Sequence, residues 1–272
     1  MDFYNDYELY IFDLDGTLYE DTSHFDYYGK LLKEQLPIEM QEHFTKEYEQ
    51  MKEGNHAVAI GKAYDVERDS VLTLDPLTLK VVEVTDWNGT KWEQNKVANT
   101  YAGKLTFDFE KMIAIGDGWW LPFVCAKHFG VEDTYNSYLQ TKEYMVTDQF
   151  QLTKTPGLKQ GLEKLKEKKQ IVLMTNSDAE DVGRLLKELD LDGIFDDVIT
   201  SAMKPTKTTT FLNELLSKYK VTPEQAVSIG DNFINEIAPA LELGMNALLI
   251  QAADVDVTHE RLQTVKTLAD AL

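Results

Sequence analysis

The chain has 272 residues, with 47 acidic against 27 basic side chains and a formal net charge of −20. That length fits one large domain or two modest ones, and 43% hydrophobic residues suffice for an ordinary globular core. So acidic a surface disfavours nucleic acid and anionic membrane as partners, no apolar run approaches the ~20 residues of a membrane helix, and a single cysteine, Cys125, rules out an intrachain disulfide.

The acidic, aromatic N-terminal stretch lacks a basic segment followed by an apolar one, so a cytoplasmic location is expected. From Leu9 to Phe12 the chain reads as a short buried strand, and it runs straight into Asp13-Leu14-Asp15-Gly16-Thr17. Alternate strand residues point the same way, so Asp13 and Asp15 begin on one side. Paired acids at a strand end suggest a cation site with a nucleophile beside it. Glycine there permits a sharp turn and a close ligand. A plain polar turn is the alternative. A calcium loop starting at Asp13 would need glycine sixth and glutamate twelfth, but Leu18 and His24 stand there.

Ser23 to Leu36 and Ile38 to Lys52 read as helices. Val71 to Trp92 reads as β-structure, with turn signals at Asp75-Pro76 and Asn88-Gly89. Gly116-Asp117-Gly118 reads as a loop with no clear strand before it. Trp119 to Phe129 and Glu132 to Met145 read as helices. Cys125 falls in an apolar stretch and reads as core. Trp119 and Trp120 read as packing, with substrate contact the alternative. Five scattered histidines without paired spacing argue against zinc.

Beyond residue 150 strands and helices alternate. Thr155-Pro156 predicts a helix start, with Leu158, Leu162 and Leu165 on one face. Gln170 to Thr175 is a strand, Asp178 to Leu189 a helix, Phe195 to Thr200 a strand and Thr208 to Tyr219 a helix. Thr222 to Gln225 is a capped turn. Ala226 to Asp231 is a strand, followed by a helix to Leu243 and a strand from Ala247 to Gln251. Such alternation predicts right-handed crossovers and a parallel sheet covered on both faces. Asp13 and Asp15, Thr175 and Asn176, and Asp231 then gather at the strand ends, where open α/β sheets bind ligands.

In order along the chain, Asp13-Leu14-Asp15-Gly16-Thr17, Thr175, Lys204-Pro205, and Gly230-Asp231 with Glu236 resemble the four motifs of the haloacid dehalogenase superfamily. The resemblance covers about half the chain. It implies a Rossmann-like three-layer α/β core, residues 1–19 and 150–272, and an inserted C1-type cap, residues 20–149, mainly α with some β-structure. It implies that Asp13 is a nucleophile that forms an aspartyl-phosphate. Asp15 would be general acid and then base, and Lys204 would neutralise charge beside them. Thr175, Asn176 and Lys204 would bind the substrate phosphate, while Gly16 and Thr17 position the loop. Magnesium would be held by Asp13, the backbone carbonyl of Asp15, Asp231 and Glu236. Two departures stand out. Thr206-Lys207 replaces a frequent Asp-Pro, making Lys207 a rival to Lys204, and Glu236 stands where aspartate is commoner. The expected activity is hydrolysis of a small phosphorylated metabolite. A phosphomutase, a dehalogenase and a non-catalytic binding or regulatory protein of this fold are the alternatives.

Overall fold

The strand β1, Leu9–Phe12, is completely buried and lies at the centre of a six-stranded sheet. The computed structural model describes residues 6–75, 77–103, 105–250 and 257–271. Within them the chain divides into two compact units. One comprises Met1–Asp21 with Leu152–Leu272, the other Thr22–Gln151.

In chain order the inserted unit contains α1 (Ser23–Glu34), α2 (Ile38–Lys52), β2 (Ala63–Asp65), β3 (Ser70–Leu74), β4 (Val81–Asp86), α3 (Gln94–Thr100), β5 (Met112–Ala114), α4 (Trp120–His128) and α5 (Thr134–Met145). The first unit continues with α6 (Leu158–Lys166), β6 (Gln170–Met174), α7 (Ala179–Glu188), β7 (Asp197–Ile199), α8 (Thr208–Tyr219), β8 (Ala226–Gly230), α9 (Ala238–Glu242), β9 (Asn246–Ile250) and β10 (Leu262–Val265).

The large sheet has the order β10-β9-β8-β1-β6-β7, and every pairing is parallel. Its strands alternate between two apolar faces. Tyr10, Phe12, Ile171, Leu173, Val227 and Ile229 meet the helix side chains Leu158, Leu162, Val182 and Leu185. Leu9, Ile11, Val172 and Met174 meet Leu212, Leu215 and Ala240 on the other side. A sheet apolar on both faces must be covered twice, which is why α6 and α7 take one side and α8 and α9 the other. The fold class expected from the sequence is therefore present. From β1 the chain order runs outward through β6 and β7 on one side and through β8 to β10 on the other. That reversal is a topological switch point. Phe12 pairs with Leu173 and with Ile229, so the carboxyl ends of the three central strands lie level.

The inserted unit has its own four-stranded sheet, β4-β3-β2-β5, entirely antiparallel. Tyr28, Phe44, Tyr48, Tyr64 and Trp87 dominate its core, and Cys125 is buried in it. Trp119 packs edge-on against Phe25, Tyr28 and Tyr138, and Trp120 stacks on Phe109 and meets Phe123 edge-on. The packing reading of these two rings is the one the inserted unit realises.

Several local expectations need correction. Helix α6 begins at Leu158 and not at Pro156, because Gly157 (φ +80°) is left-handed and breaks the helical path, and Thr155 caps nothing there. The three-residue strands β2 and β5 are too short to show an alternation, so β5 before Gly116 went unseen. Strand β10 and helix α3 were also unforeseen. The segment after Asp231 is not a plain helix: Phe233–Ile237 forms a π-helical turn before α9. Gly89 (φ +84°) closes the turn after β4 as expected. Pro76 and Gln251 lie outside the described residues.

Leu173 is fully buried at the centre of β6. Leu173→Ala should destabilise the unit containing the large sheet by about 2–5 kcal/mol. The check is its urea transition, followed separately from that of the inserted unit.

Candidate active site

Asp13 is the first residue beyond β1, and its N–H donates to the Ile229 carbonyl at 2.9 Å, so its backbone is tied to the end of β8. The residue is 7% exposed. The Lys204 ammonium, 2% exposed, lies 2.6 Å from Asp13 Oδ1 and 2.5 Å from Glu236 Oε1. One buried cation thus joins the end of the first strand to the π-helical turn. Burial pushes the Asp13 carboxyl up, and the Asp15 charge adds to this, while Lys204 pulls it down. The two carboxylates hold the Lys204 ammonium above the usual lysine range despite burial, so it stays charged at neutral pH.

Lys204 is placed from β6. The Asn176 side chain accepts from the Lys204 N–H at 2.7 Å and donates to the Lys204 carbonyl at 3.1 Å. This two-point clamp fixes a backbone in which Ser201 and Met203 are left-handed. Lys207 is exposed at the start of α8, so Lys204 is the lysine that meets the acids. Thr175 is buried, and its hydroxyl accepts from the Ser177 N–H at 3.1 Å.

The segment after β8 contributes Asp231 and Glu236. Asn232 accepts from the N–H groups of Ile234 and Asn235, which starts the π-helical turn. Glu236 reaches back so that Oε2 accepts from the Asn232 N–H at 3.1 Å. A Cβ on Gly230 would lie 2.7 Å from Glu236 Cγ, so that position must be glycine for the turn to close. Gly16 has the same task on the facing loop. Its φ is +73°, and a Cβ there would overlap the Asp231 carboxylate.

Carboxylate oxygens of Asp13, Asp231 and Glu236 lie within 4.8 Å of one another. Three negative charges in so small a volume repel, and Lys204 offsets one. The donors are all oxygen, which suits a hard divalent cation such as magnesium, and the cradle left by the missing Cβ of Gly16 brings Asp231 in.

Asp15 lies outside that carboxylate cluster. One of its oxygens accepts from the Tyr19 hydroxyl, and the other from the Ser177 hydroxyl at 3.1 Å. Thr17 is fully buried in the same loop, its N–H bonded to the Leu14 carbonyl. Tyr19 and Ser177 escaped the sequence reading. The first sits four residues from Asp15 in a loop with no periodicity, and the second is an ordinary serine before a helix. The only signal was that Ser177 follows Thr175 at strand spacing.

A family profile for haloacid dehalogenase-like hydrolases matches residues 7–244. Among solved structures, a candidate HAD-hydrolase from Bacillus subtilis, YfnB, crystallised bound to magnesium, is 14% identical. The match covers 98% of this chain and 97% of that one, with a TM-score of 0.53. A haloacid dehalogenase-like hydrolase from Xanthomonas campestris is also 14% identical, over 98% of this chain and 89% of that one, with a TM-score of 0.52. Identities this low speak for the fold alone. No curated protein matches the sequence.

Gly16 and Gly54 share a φ of +73°, but nothing lies within 4 Å of a Cβ at Gly54. Both Gly→Ala variants therefore carry the same backbone strain, and only Gly16→Ala displaces Asp231. Magnesium should raise the thermal midpoint of the parent protein and of Gly54→Ala, and leave Gly16→Ala nearly unmoved. Differential scanning calorimetry with and without the ion checks this.

Proposed function

Because the chain belongs to the haloacid dehalogenase-like hydrolase family, we propose that it is a magnesium-dependent phosphohydrolase acting on a small phosphorylated metabolite. The observation that carries this reading is the Lys204 ammonium buried between Asp13 and Glu236, with Asp231 in the same carboxylate cluster. A surface of net charge −20 repels a phosphate, so positive charge must be concentrated where the chemistry occurs.

An oxygen of the Asp13 carboxylate forms a bond to phosphorus as the bond to the leaving oxygen breaks. Asp15, protonated, gives its proton to that oxygen. Water then attacks phosphorus, Asp15 takes the water's proton, and the bond to Asp13 breaks to return inorganic phosphate. Lys204 balances the charge of Asp13 and of the incoming phosphate, and Thr175 and Asn176 sit at the adjacent strand end. Asp13, Asp231 and the backbone carbonyl of Asp15 would hold magnesium, with Glu236 beside them. When bound, the ion offsets repulsion between carboxylate and phosphate.

Displacement of a halide needs neither a proton donor nor a set of acidic metal ligands. Asp15 and the Asp13–Asp231–Glu236 cluster therefore weigh against a dehalogenase. They also weigh against a pure binding protein, which has no use for nucleophile and acid together. We assign substrate selection to the inserted unit, whose chain leaves the core seven residues after Asp15. Its two connections are tied where Asp21 accepts from the N–H and the hydroxyl of Thr153, at 2.7 and 2.8 Å.

Asp13→Asn keeps the size of the side chain and removes its charge. Turnover of p-nitrophenyl phosphate should fall by at least about 10³-fold, while Glu236 remains as the counter-ion of Lys204. Comparable steady-state rates for the two proteins would contradict covalent catalysis at Asp13.

A further inference from the structure

Asp15 is gripped from two sides by hydroxyls. The Tyr19 O–H donates to Oδ1 and the Ser177 O–H to Oδ2. Neither donor is free to wander. Tyr19 is fully buried, and its ring belongs to the main core with Leu14, Leu18 and Leu158. Its backbone also pairs with that of Asp15 across the loop that Gly16 turns. Ser177 is 7% exposed. Its N–H donates to the Thr175 hydroxyl at 3.1 Å, and its carbonyl accepts from the Ser201 N–H at 2.9 Å.

A hydroxyl differs from a cation in one respect that matters here. It can donate to a carboxylate and, after rotation, accept from a carboxylic acid. A lysine or arginine can only donate, and would hold the carboxylate ionised. A group that must be an acid in one step and a base in the next is therefore served by hydroxyl partners.

We propose that Tyr19, with Ser177, is a positioning residue that holds the Asp15 carboxyl in line for proton transfer in both halves of the reaction. This deepens the phosphohydrolase reading and rests on it. Tyr19 acts through Asp15, so its loss should weigh on proton transfer and not on binding.

The test exploits the leaving group. Dinitrophenolate departs without a proton, whereas an alkoxide must receive one as the bond to phosphorus breaks. Tyr19→Phe keeps the ring and removes one oxygen. For ethyl phosphate its kcat should fall about 10–100-fold with KM little changed. For 2,4-dinitrophenyl phosphate the first turnover should stay near the parent rate, while the steady state slows because water still needs Asp15 as base. A burst of one dinitrophenolate per site should then appear. Ser177→Ala should behave alike and Ser177→Thr should recover, which keeps the test alive should Tyr19→Phe fold poorly. Asp15→Asn serves as the reference. If Asp15→Asn discriminates between the two leaving groups while Tyr19→Phe and Ser177→Ala lose both substrates equally, or neither, the positioning role is overturned and the phosphohydrolase reading stands. If the parent enzyme turns over neither substrate, or Asp15→Asn shows no dependence on the leaving group, that reading falls and takes this proposal with it.

Discussion

The arrangement depends on one buried ammonium. Lys204 reaches the site from the loop after β7, Asp13 from the end of β1, and Glu236 from the π-helical turn after β8, and none of these segments is adjacent in sequence. Removing charges from water costs several kcal/mol per ion, and mutual attraction offsets this only when geometry is good and the remaining lone pairs are satisfied. Here the satisfaction extends outward. Glu236 also takes the Asn232 N–H, and Asn176 holds the Lys204 backbone from both sides. The ion pair is therefore weak evidence for stability and strong evidence for a specified arrangement, since each partner is fixed by a contact of its own.

The same constraint explains the backbone irregularities. A regular helix starting just after Asp231 would advance Glu236 by the ordinary rise and rotation of 3.6 residues per turn. The wider π-helical turn, started by the Asn232 side chain, is the conformation in which Glu236 meets both its own loop and Lys204. Glycine at 16 and at 230 leaves room for the carboxylates of Asp231 and Glu236, respectively. Wide turns and glycine contacts of this kind cluster where function and not stability sets the geometry.

What could be read from the sequence follows from how far each signal extends along the chain. Helix α2 and strand β1 have the expected bounds, because their periods are complete and their ends are marked by Pro37 and by Asp13. The parallel sheet was legible from the alternation of long elements. Strands of three residues carry no period, so the antiparallel sheet of the inserted unit was half seen, through β3 and β4 alone. Within the site, Asp13, Asp15 and Asp231 announce themselves as acids at strand ends. Lys204 does not, for a lone lysine is usually a surface group. It came from the resemblance, and only its contacts separate it from Lys207. Tyr19 and Ser177 were beyond reach, because their meaning is their distance from Asp15 and nothing in their spacing encodes it.

Two aspartates, two residues apart, thus occupy unlike surroundings. Asp13 is buried and faces an ammonium that favours its negative charge, against burial and the Asp15 charge, which oppose it. Asp15 is half-exposed and faces two hydroxyls that tolerate either protonation state. Pairs of titratable groups whose environments differ in this way are how one fold assigns different roles to identical side chains. For the proposed reaction the consequence is specific. A nucleophile must not be protonated when the phosphate arrives, and a proton carrier must not be locked in one form. The strand fixes the spacing of the two acids, but Lys204 on one and Tyr19 with Ser177 on the other make them unequal. The difference is therefore written in residues that lie 191, 4 and 162 positions away along the chain.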